Sequence, residues 1–327
     1  MSAPAPWLSV VLPVYNGEKY LEHALASVAA QADDSIEVIA IEGGSTDRTA
    51  EILRSYEPRL PLRVLSFPDL HNWVASSNEG LKAARGEFAC FLHQDDAWLD
   101  GRLDALRARV DRFPNASLFL HPASYIDPRG DVVGCWTCPL PAGVELRAEQ
   151  VIERLLVQNF IATPAPIFSR RAAAAVGGLD ASLWYTADWD FWLKLAAVGG
   201  TVYDSRPLAA YRIHPDAQTI RRTGDAAEFR AQLDVVLARH IAEWESSHRL
   251  APAARRASAF SIEVNAWLAA AVHGRKPSVL GLVPSFVRLG PNGWRRYLRD
   301  SRIVERVAPR CRIGLASRAR RIAARPA

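Results

Sequence analysis

Short, wholly apolar runs alternate along the chain with stretches whose apolar residues recur every three or four positions. The run Leu8-Ser9-Val10-Val11-Leu12-Pro13-Val14 reads as a buried strand that ends in the turn Tyr15-Asn16-Gly17. Residues 18–30 follow with Leu21, Ala24, Leu25 and Val28 on one helical face. The pattern then repeats, with a strand over 36–41, a helix over 47–56 with Ser45 and Thr46 as cap candidates, and strands over 63–66, 88–92 and 117–120. A helix over 99–112 carries arginines on its outer face. Alternation of this kind predicts an α/β fold, a mostly parallel sheet with crossover helices on both faces.

Pro128-Arg129-Gly130-Asp131 is a turn expected to join two antiparallel strands, 124–127 and 132–136. Helices are predicted over 149–158, 172–176 and 188–198. Beyond about residue 225 the pattern becomes helical only, with helices over 226–246 and 252–272. This change sets an expected boundary near residue 222, dividing a 1–222 domain from a helical 223–327 region, with a second break near Gly274.

The chemistry concentrates at residues 88–98, Phe-Ala-Cys-Phe-Leu-His-Gln-Asp-Asp-Ala-Trp. A strand there delivers Asp95 and Asp96 to the edge at which open α/β sheets bind ligands. Two adjacent carboxylates repel each other unless a cation such as Mg²⁺ or Mn²⁺ sits between them and a phosphorylated ligand. The bland alternative is that one of them caps the following helix.

The surrounding segments decide between these readings. Pro13-Val14-Tyr15-Asn16, Glu42-Gly43-Gly44-Ser45, Asn78-Glu79-Gly80, Asp95-Asp96, Asp188-Trp189-Asp190-Phe191-Trp192 and Tyr211-Arg212-Ile213-His214 occur in that order. This order resembles the family 2 glycosyltransferases, an inverting group that uses nucleotide-sugar donors, over about residues 7–220. The resemblance implies a GT-A fold and a cofactor of Mn²⁺ or Mg²⁺. It assigns Asp96 and His214 to the metal, and Asp95, Pro13, Tyr15, Asn16, Glu42 and Asn78 to the donor. Asp188 would be the catalytic base, with Trp184, Tyr185 and Asp190 as sugar or acceptor contacts.

The chain also departs from the family's pattern. His93 stands where the family carries an aspartate; it can ligate Mn²⁺ or simply end the strand, and the strand end is favoured because hard ions prefer oxygen. Gly43 occupies the place of the base-reading acid, so Glu42 is the expected substitute, and Asp47 reads as a turn or cap residue. Ala187 replaces a glutamate beside Asp188 and removes a charge that would raise that residue's pKa. These departures keep a catalytically silent binding protein open as an alternative. A sugar nucleotidyltransferase is a second alternative, although its glycine-rich start is missing.

Composition adds limits. No run approaches the ~20 apolar residues of a membrane span, and the N-terminus shows no secretory pattern, so a cytoplasmic protein is expected. G-x-G-x-x-G after the first strand and the Walker A pattern are both absent, which argues against nicotinamide enzymes and P-loop NTPases. Cys135-Trp136-Thr137-Cys138 lacks a second pair and reads as incidental thiols. The net charge of +5 conceals a split: from Gly274 onward fourteen Lys/Arg face two acids, giving +12 and leaving −7 for the rest. Ser278 to Val287 is apolar, and Trp294, Tyr297 and Leu298 follow among arginines, as in helices lying on a membrane surface; a basic helix packed against the acidic remainder is the equal alternative. The expected partners are a nucleotide-sugar donor, a glycan or lipid-linked acceptor in cell-surface polysaccharide synthesis, and the inner membrane face, but no nucleic acid.

Overall fold

The computed structural model describes residues 5–217, 225–275 and 277–323. Its strands are β1 (Leu8–Val14), β2 (Ile36–Glu42), β3 (Leu62–Ser66), β4 (Phe88–Phe91), β5 (Ala97–Trp98), β6 (Ala116–Leu120), β7 (Ala123–Ile126), β8 (Val132–Trp136), β9 (Glu145–Leu146), β10 (Ile167–Ser169), β11 (Gly200–Tyr203) and β12 (Ala209–Arg212). The first helices are α1 (Leu21–Ala29), α2 (Thr49–Tyr56), α3 (Trp73–Ala83), α4 (Arg102–Arg112), α5 (Ala148–Leu155), α6 (Arg170–Ala175) and α7 (Ala187–Val198). The C-terminal region adds α8 (Ala226–Glu245), α9 (Pro252–Val272), α10 (Val283–Ser301) and α11 (Ile303–Ala323). The boundary expected near residue 222 lies outside the described residues.

The main sheet runs β3-β2-β1-β4-β10-β6-β11-β9. Strands β1 to β4 are mutually parallel, and β10 enters antiparallel between β4 and β6. Strand order turns back at β1, which has β2 on one side and β4 on the other. The crevice beyond the C-terminal ends of β1 and β4 is therefore the topological switch point. Gln94 bridges those two ends, accepting from the Tyr15 N–H at 2.8 Å and donating to the Tyr15 carbonyl at 3.1 Å.

Two buried clusters flank the sheet. One packs α1, α2 and α4 through Leu21, Leu25, Leu53 and Leu106. The other joins Phe91, Phe168 and Trp192 to Phe229, Leu233, Trp244, Phe260 and Tyr297, so α8, α9 and α10 share a core with the sheet. Helix α3 was not predicted from the sequence. It buries Val74, Ser76, Ser77 and Gly80, a face of small residues without an apolar stripe. The closeness explains the choice: a Cβ at Gly80 would fall 2.3 Å from Val11 Cγ1.

A second sheet, β5-β12-β7-β8, sits next to the first. The predicted hairpin is its β7–β8 pair. Strand β5 leaves β4 through residues 92–96 and pairs antiparallel with β12, so the Asp95-Asp96 segment spans the junction of the two sheets.

In the C-terminal region Asp225 caps α8 by accepting from the Ala227 and Glu228 N–H groups, and Pro252 occupies the first position of α9. Helix α10 is kinked at Gly290 (φ 62°), which Pro291 follows. Trp294 and Tyr297, expected on an outward face, instead turn inward: Trp294 stacks on Phe286, and Tyr297 meets Phe260 edge-on at 4.8 Å. Beyond Gly274 the exposed large apolar residues among the described side chains are Val279, Leu280, Val283, Phe286 and Val287, with Leu298 and Val304 further on. Helix α11 crosses β8 closely enough that a Cβ at Gly134 would lie 2.6 Å from Pro309 Cγ. The contact is held by Thr137, which donates to Glu305 at 2.6 Å and accepts from Arg302 at 2.7 Å.

Candidate active site

A cavity of about 250 Å³ opens at the switch point. One corner is the His93, Asp95 and Asp96 cluster, whose ligand-type atoms all lie within 4.8 Å of one another. The helix-cap alternative for the two aspartates does not hold, because α4 begins at Arg102 after Gly101. Asp96 Oδ1 accepts from the Arg212 N–H at 3.0 Å, while Asp96 Oδ2 is buried with no hydrogen-bond partner among the described residues. His93 Nε2 is likewise buried and unpartnered, and His93 Nδ1 stands 4.0 Å from Asp96 Oδ2.

Burial, and then the Asp95 charge, push the Asp96 carboxyl well above the ordinary carboxylate range. Burial also acts upward on Asp95, but a hydrogen bond from His214 and the nearby His93 outweigh it and hold Asp95 below its usual value. Burial pushes His93 down, toward the neutral imidazole that ligates metals. The corner thus favours ionisation of Asp95 and opposes that of Asp96. A divalent cation would let both ionise, and the orphaned Asp96 Oδ2 offers it a free ligand atom, so the residues fit the implied metal.

His214 stands behind this corner, its Nε2 2.9 Å from Asp95 Oδ2, and is not part of the three-residue cluster. Arg212, beside it on β12, donates to the Asp95 carbonyl at 2.8 Å and the Asp127 carbonyl at 3.0 Å. The late Tyr-Arg-x-His segment therefore pins the Asp95-Asp96 corner from across the sheet junction.

Asp188 lines the same cavity from the first turn of α7, inside the helix rather than at its N-cap, Thr186. Its Oδ2 accepts from Asn159 at 3.0 Å and Thr163 at 3.3 Å, and its Oδ1 from the Trp189 N–H at 2.7 Å. Burial nevertheless raises its pKa to about 6. Desolvation thus supplies the upward shift that Ala187 no longer provides as a charged neighbour. Asp190, two positions on, is fully buried and bound to Lys194 at 2.6 Å, Arg239 at 2.8 Å and His240 at 2.9 Å. Burial acts upward on it too, but the hydrogen bonds from His240 and Lys194 and the Lys194 charge prevail and hold it at about 2. Arg239 also pairs with Asp180 at 3.0 Å, so Asp190 ties α7 to α8 and the Gly177-Gly178 turn and does not line the cavity.

Of the other predicted residues, Pro13, Tyr15, Trp184 and Tyr185 line the cavity, while Asn16, Glu42 and Asn78 do not. Asn16, at φ 48°, accepts from the Thr46 N–H at 2.8 Å. The Glu42 carboxylate accepts from the Gly44 and Ser45 N–H groups at 3.1 and 2.6 Å, closing the glycine-rich turn. Asn78 exchanges two hydrogen bonds with the Leu179 backbone, 101 residues away. Asp47 accepts from the Glu18 and Thr49 N–H groups, the turn role expected of it. The four cysteines are free thiols.

Sequence reasoning passed over two lining residues, Arg306 and Arg310, which α11 brings to the cavity. Their i, i+4 spacing was visible, but nothing local tells which wall a C-terminal helix covers.

Residues 9–138 match the Glycosyl transferase family 2 profile. An uncharacterized glycosyltransferase of Rickettsia typhi is 26% identical over 220 residues, covering 66% of each chain. An uncharacterized protein of Mycobacterium tuberculosis is 29% identical over 245 residues, covering 70% of this chain and 68% of that one. The chain spans just under two thirds of the length of its Rickettsia typhi and Rickettsia prowazekii relatives, 66% in each case. Among solved structures, S. aureus TarS 1–349 in complex with UDP-GlcNAc superposes at a TM-score of 0.59 with 18% identity, over 89% of both chains. Mannosyltransferase PcManGT from Pyrobaculum calidifontis, in complex with GDP-Man and Mn²⁺, superposes at 0.52 with 18% identity, over 95% of this chain and 87% of that one. The shared architecture is the GT-A fold expected from the sequence.

Proposed function

We propose that this chain, whose residues 9–138 match the Glycosyl transferase family 2 profile, transfers a sugar from a nucleotide-sugar donor to an acceptor hydroxyl with inversion. The observation that carries the reading is Asp188, a carboxylate with a pKa of about 6 in the same cavity as the His93, Asp95 and Asp96 corner. A base poised near the working pH is mostly ionised yet still takes up a proton readily. In a single displacement Asp188 accepts the acceptor hydroxyl's proton as that oxygen bonds to the anomeric carbon. The glycosidic bond electrons leave with the nucleoside diphosphate.

His93, Asp95 and Asp96 would hold a divalent cation, which supplies charge neutralisation on the leaving diphosphate. An imidazole in the set favours Mn²⁺ over Mg²⁺. Arg212 and His214 hold the two carboxylates in place. Pro13 and Tyr15 face the donor, and Trp184 and Tyr185 face the transferred sugar or acceptor. Asn16, Glu42 and Asn78 set the turns that shape the donor pocket, Asn16 and Glu42 through backbone N–H groups of 44–46 and Asn78 through Leu179. Asp190 holds α7 so that Asp188 keeps its place.

The acceptor is a glycan or lipid-linked glycan of the cell surface, and the enzyme works at the inner face of the cytoplasmic membrane. Two features support the location: no helix among the described residues is long and apolar enough to cross a membrane, and the exposed set Val279, Leu280, Val283, Phe286 and Val287 lies within the basic C-terminal segment. Nucleotide release from a panel of sugar donors, with and without Mn²⁺, tests the reading. Metal-dependent release from one donor class is expected. Donor binding without any release would identify a silent binding protein instead.

A further inference from the structure

The C-terminal basic helix does not hang free: α11 lies across β8 and turns Arg306 and Arg310 into the wall of the cavity that holds Asp188. Arg306 is half-buried and donates to Asn265 Oδ1 at 2.8 Å. Asn265 in turn donates to Gln158 Oε1 at 2.8 Å, which Ser261 also bonds at 2.8 Å. Three side chains from α9 and the α5 exit thus aim one guanidinium. Arg310 approaches the Tyr125 hydroxyl at 3.5 Å and lies 5.5 Å above that ring.

Neither arginine has a carboxylate partner among the described residues. Arg302, at the break just before this helix, does, in Glu305. Like charges four residues apart on a helix repel, so the arrangement of Arg306 and Arg310 leaves an anion-sized deficit at the cavity wall. The remaining wall supplies an aromatic platform: Trp136 stacks on Tyr125 at 5.7 Å and meets Tyr211 edge-on at 5.5 Å. The indole N–H of Trp136 is buried and has no hydrogen-bond partner among the described residues. A planar fork of donors, an unused N–H and an aromatic face together suit an oxyanion carried on a sugar-like body.

This wall is not the metal corner. The charges that bear on Asp96 are those of Asp95 and Arg212, whereas Arg306, Arg310 and Asp188 all bear on Tyr185. The arginine pair therefore sits on the side of Asp188 and Tyr185, where an acceptor would present its hydroxyl to the base. We propose that Arg306, Arg310 and Trp136 form an acceptor subsite for an anionic group, a phosphate or a carboxylate, so that the natural acceptor is a charged molecule. The proposal rests on the glycosyltransferase reading for the word acceptor, but the anion site itself does not depend on it.

Calorimetry on the full chain tests the site, with Mn²⁺ and nucleoside diphosphate saturating so that the metal corner is filled. The probes are inorganic phosphate, glycerol 3-phosphate, glucuronate and neutral glucose. Anionic probes are expected to bind at least about tenfold more tightly than glucose, and the phosphate and glucuronate arms distinguish the two sources of oxyanion. Arg306→Gln and Arg310→Gln should each weaken the anionic probes about tenfold or more and leave glucose affinity where it was. Arg310 is exposed, so Arg310→Gln keeps the test valid should Arg306→Gln fail to fold. Equal affinity for charged and neutral probes, or anion binding indifferent to both variants, overturns the proposal. Loss of nucleoside diphosphate affinity in the variants also overturns it, by assigning the arginines to the donor. Failure of the donor panel to release nucleotide would overturn the enzymatic reading alone.

Discussion

Replacing Asp188 by Asn should make the protein more stable while nearly abolishing turnover. Burial lifts the carboxyl from an ordinary value of 3.8 to about 6. A group held above its unfolded pKa contributes stability in full below the unfolded value and loses it as pH rises through the folded one. Ionised Asp188 at pH 8 therefore costs about 3 kcal/mol, the worth of roughly two pKa units. Asn cannot ionise, but it has one acceptor oxygen in place of two, so either the Trp189 N–H or the Asn159 and Thr163 donors lose an acceptor, which offsets about 1 kcal/mol of the gain. The net expectation is a variant more stable by about 2 kcal/mol at pH 8, or a melting temperature higher by about 4 °C. That gain should shrink below pH 6 and vanish near pH 4. Over the same range kcat of the wild type should fall on an acid limb near pH 6, and Asp188→Asn should lie about 10²–10⁴-fold lower at the plateau. Thermal melts at several pH values and donor turnover at each provide both readouts. A variant that is less stable at pH 8, or that turns over within tenfold of wild type, would refute the assignment of Asp188 as a strained, solvent-starved base.

Asp190→Asn should behave in the opposite way: removing a buried carboxylate from Lys194, Arg239 and His240 is expected to cost on the order of 3 kcal/mol at pH 7, measured by denaturant melts. Because Asp190 is held down at about 2, that deficit persists across neutral pH and closes only as pH falls through about 2. Asp96→Ala should eliminate the Mn²⁺-dependent part of nucleoside diphosphate affinity in calorimetry while leaving the melting temperature of the metal-free protein unchanged or higher, since Asp96 Oδ2 is an orphaned buried atom. Leu280→Glu with Val287→Glu should reduce flotation with anionic liposomes; flotation that ignores both the substitutions and lipid charge would remove the membrane reading. Truncation before α10 is the wrong test, because it would strip Leu289 and Tyr297 from the core.

What the sequence displayed well were elements whose burial is apolar and periodic. Leu21, Ala24, Leu25 and Val28 predicted α1, and all four are buried. The predicted 252–272 helix matches α9 at both ends. Helix α3 escaped because it meets β1 through serines and a glycine, a face chosen for closeness and not for hydrophobicity. Strands β10, β11 and β12 are three or four residues long, too short to show a period, yet β12 decides the site by bringing Arg212 and His214 to the aspartates.

The limits at the site have one physical origin. A carboxyl's type and neighbours in sequence are legible, but its protonation depends on what packs against it, and here those partners come from far along the chain. Asp95 is held down by His214, 119 residues away, while burial and the Asp95 charge hold Asp96 up against the opposing pull of Arg212, 116 residues away. Charge reasoning about Ala187 pointed to a lower pKa for Asp188, because a missing neighbour is visible in sequence and a desolvating cavity is not. His93 was read as a strand end on the hardness of the ion. The fold places it beside Asp96 with an unpartnered ring nitrogen, within 4.8 Å of both aspartates' ligand-type atoms, where only the fold and not the sequence could put it. The basic C-terminal segment follows the same logic. Its +12 charge invited an external anionic partner, yet the close passage of Pro309 over Gly134 commits α11 to the cavity wall. Part of that charge is consumed internally: Arg296 pairs with Glu153 at 2.9 Å, and Arg302 with Glu305. Two places among the described residues suit an outside partner, the cavity wall at Arg306 and Arg310 and the exposed apolar surface around Leu280 and Val287. A charged acceptor delivered from a membrane surface would engage both.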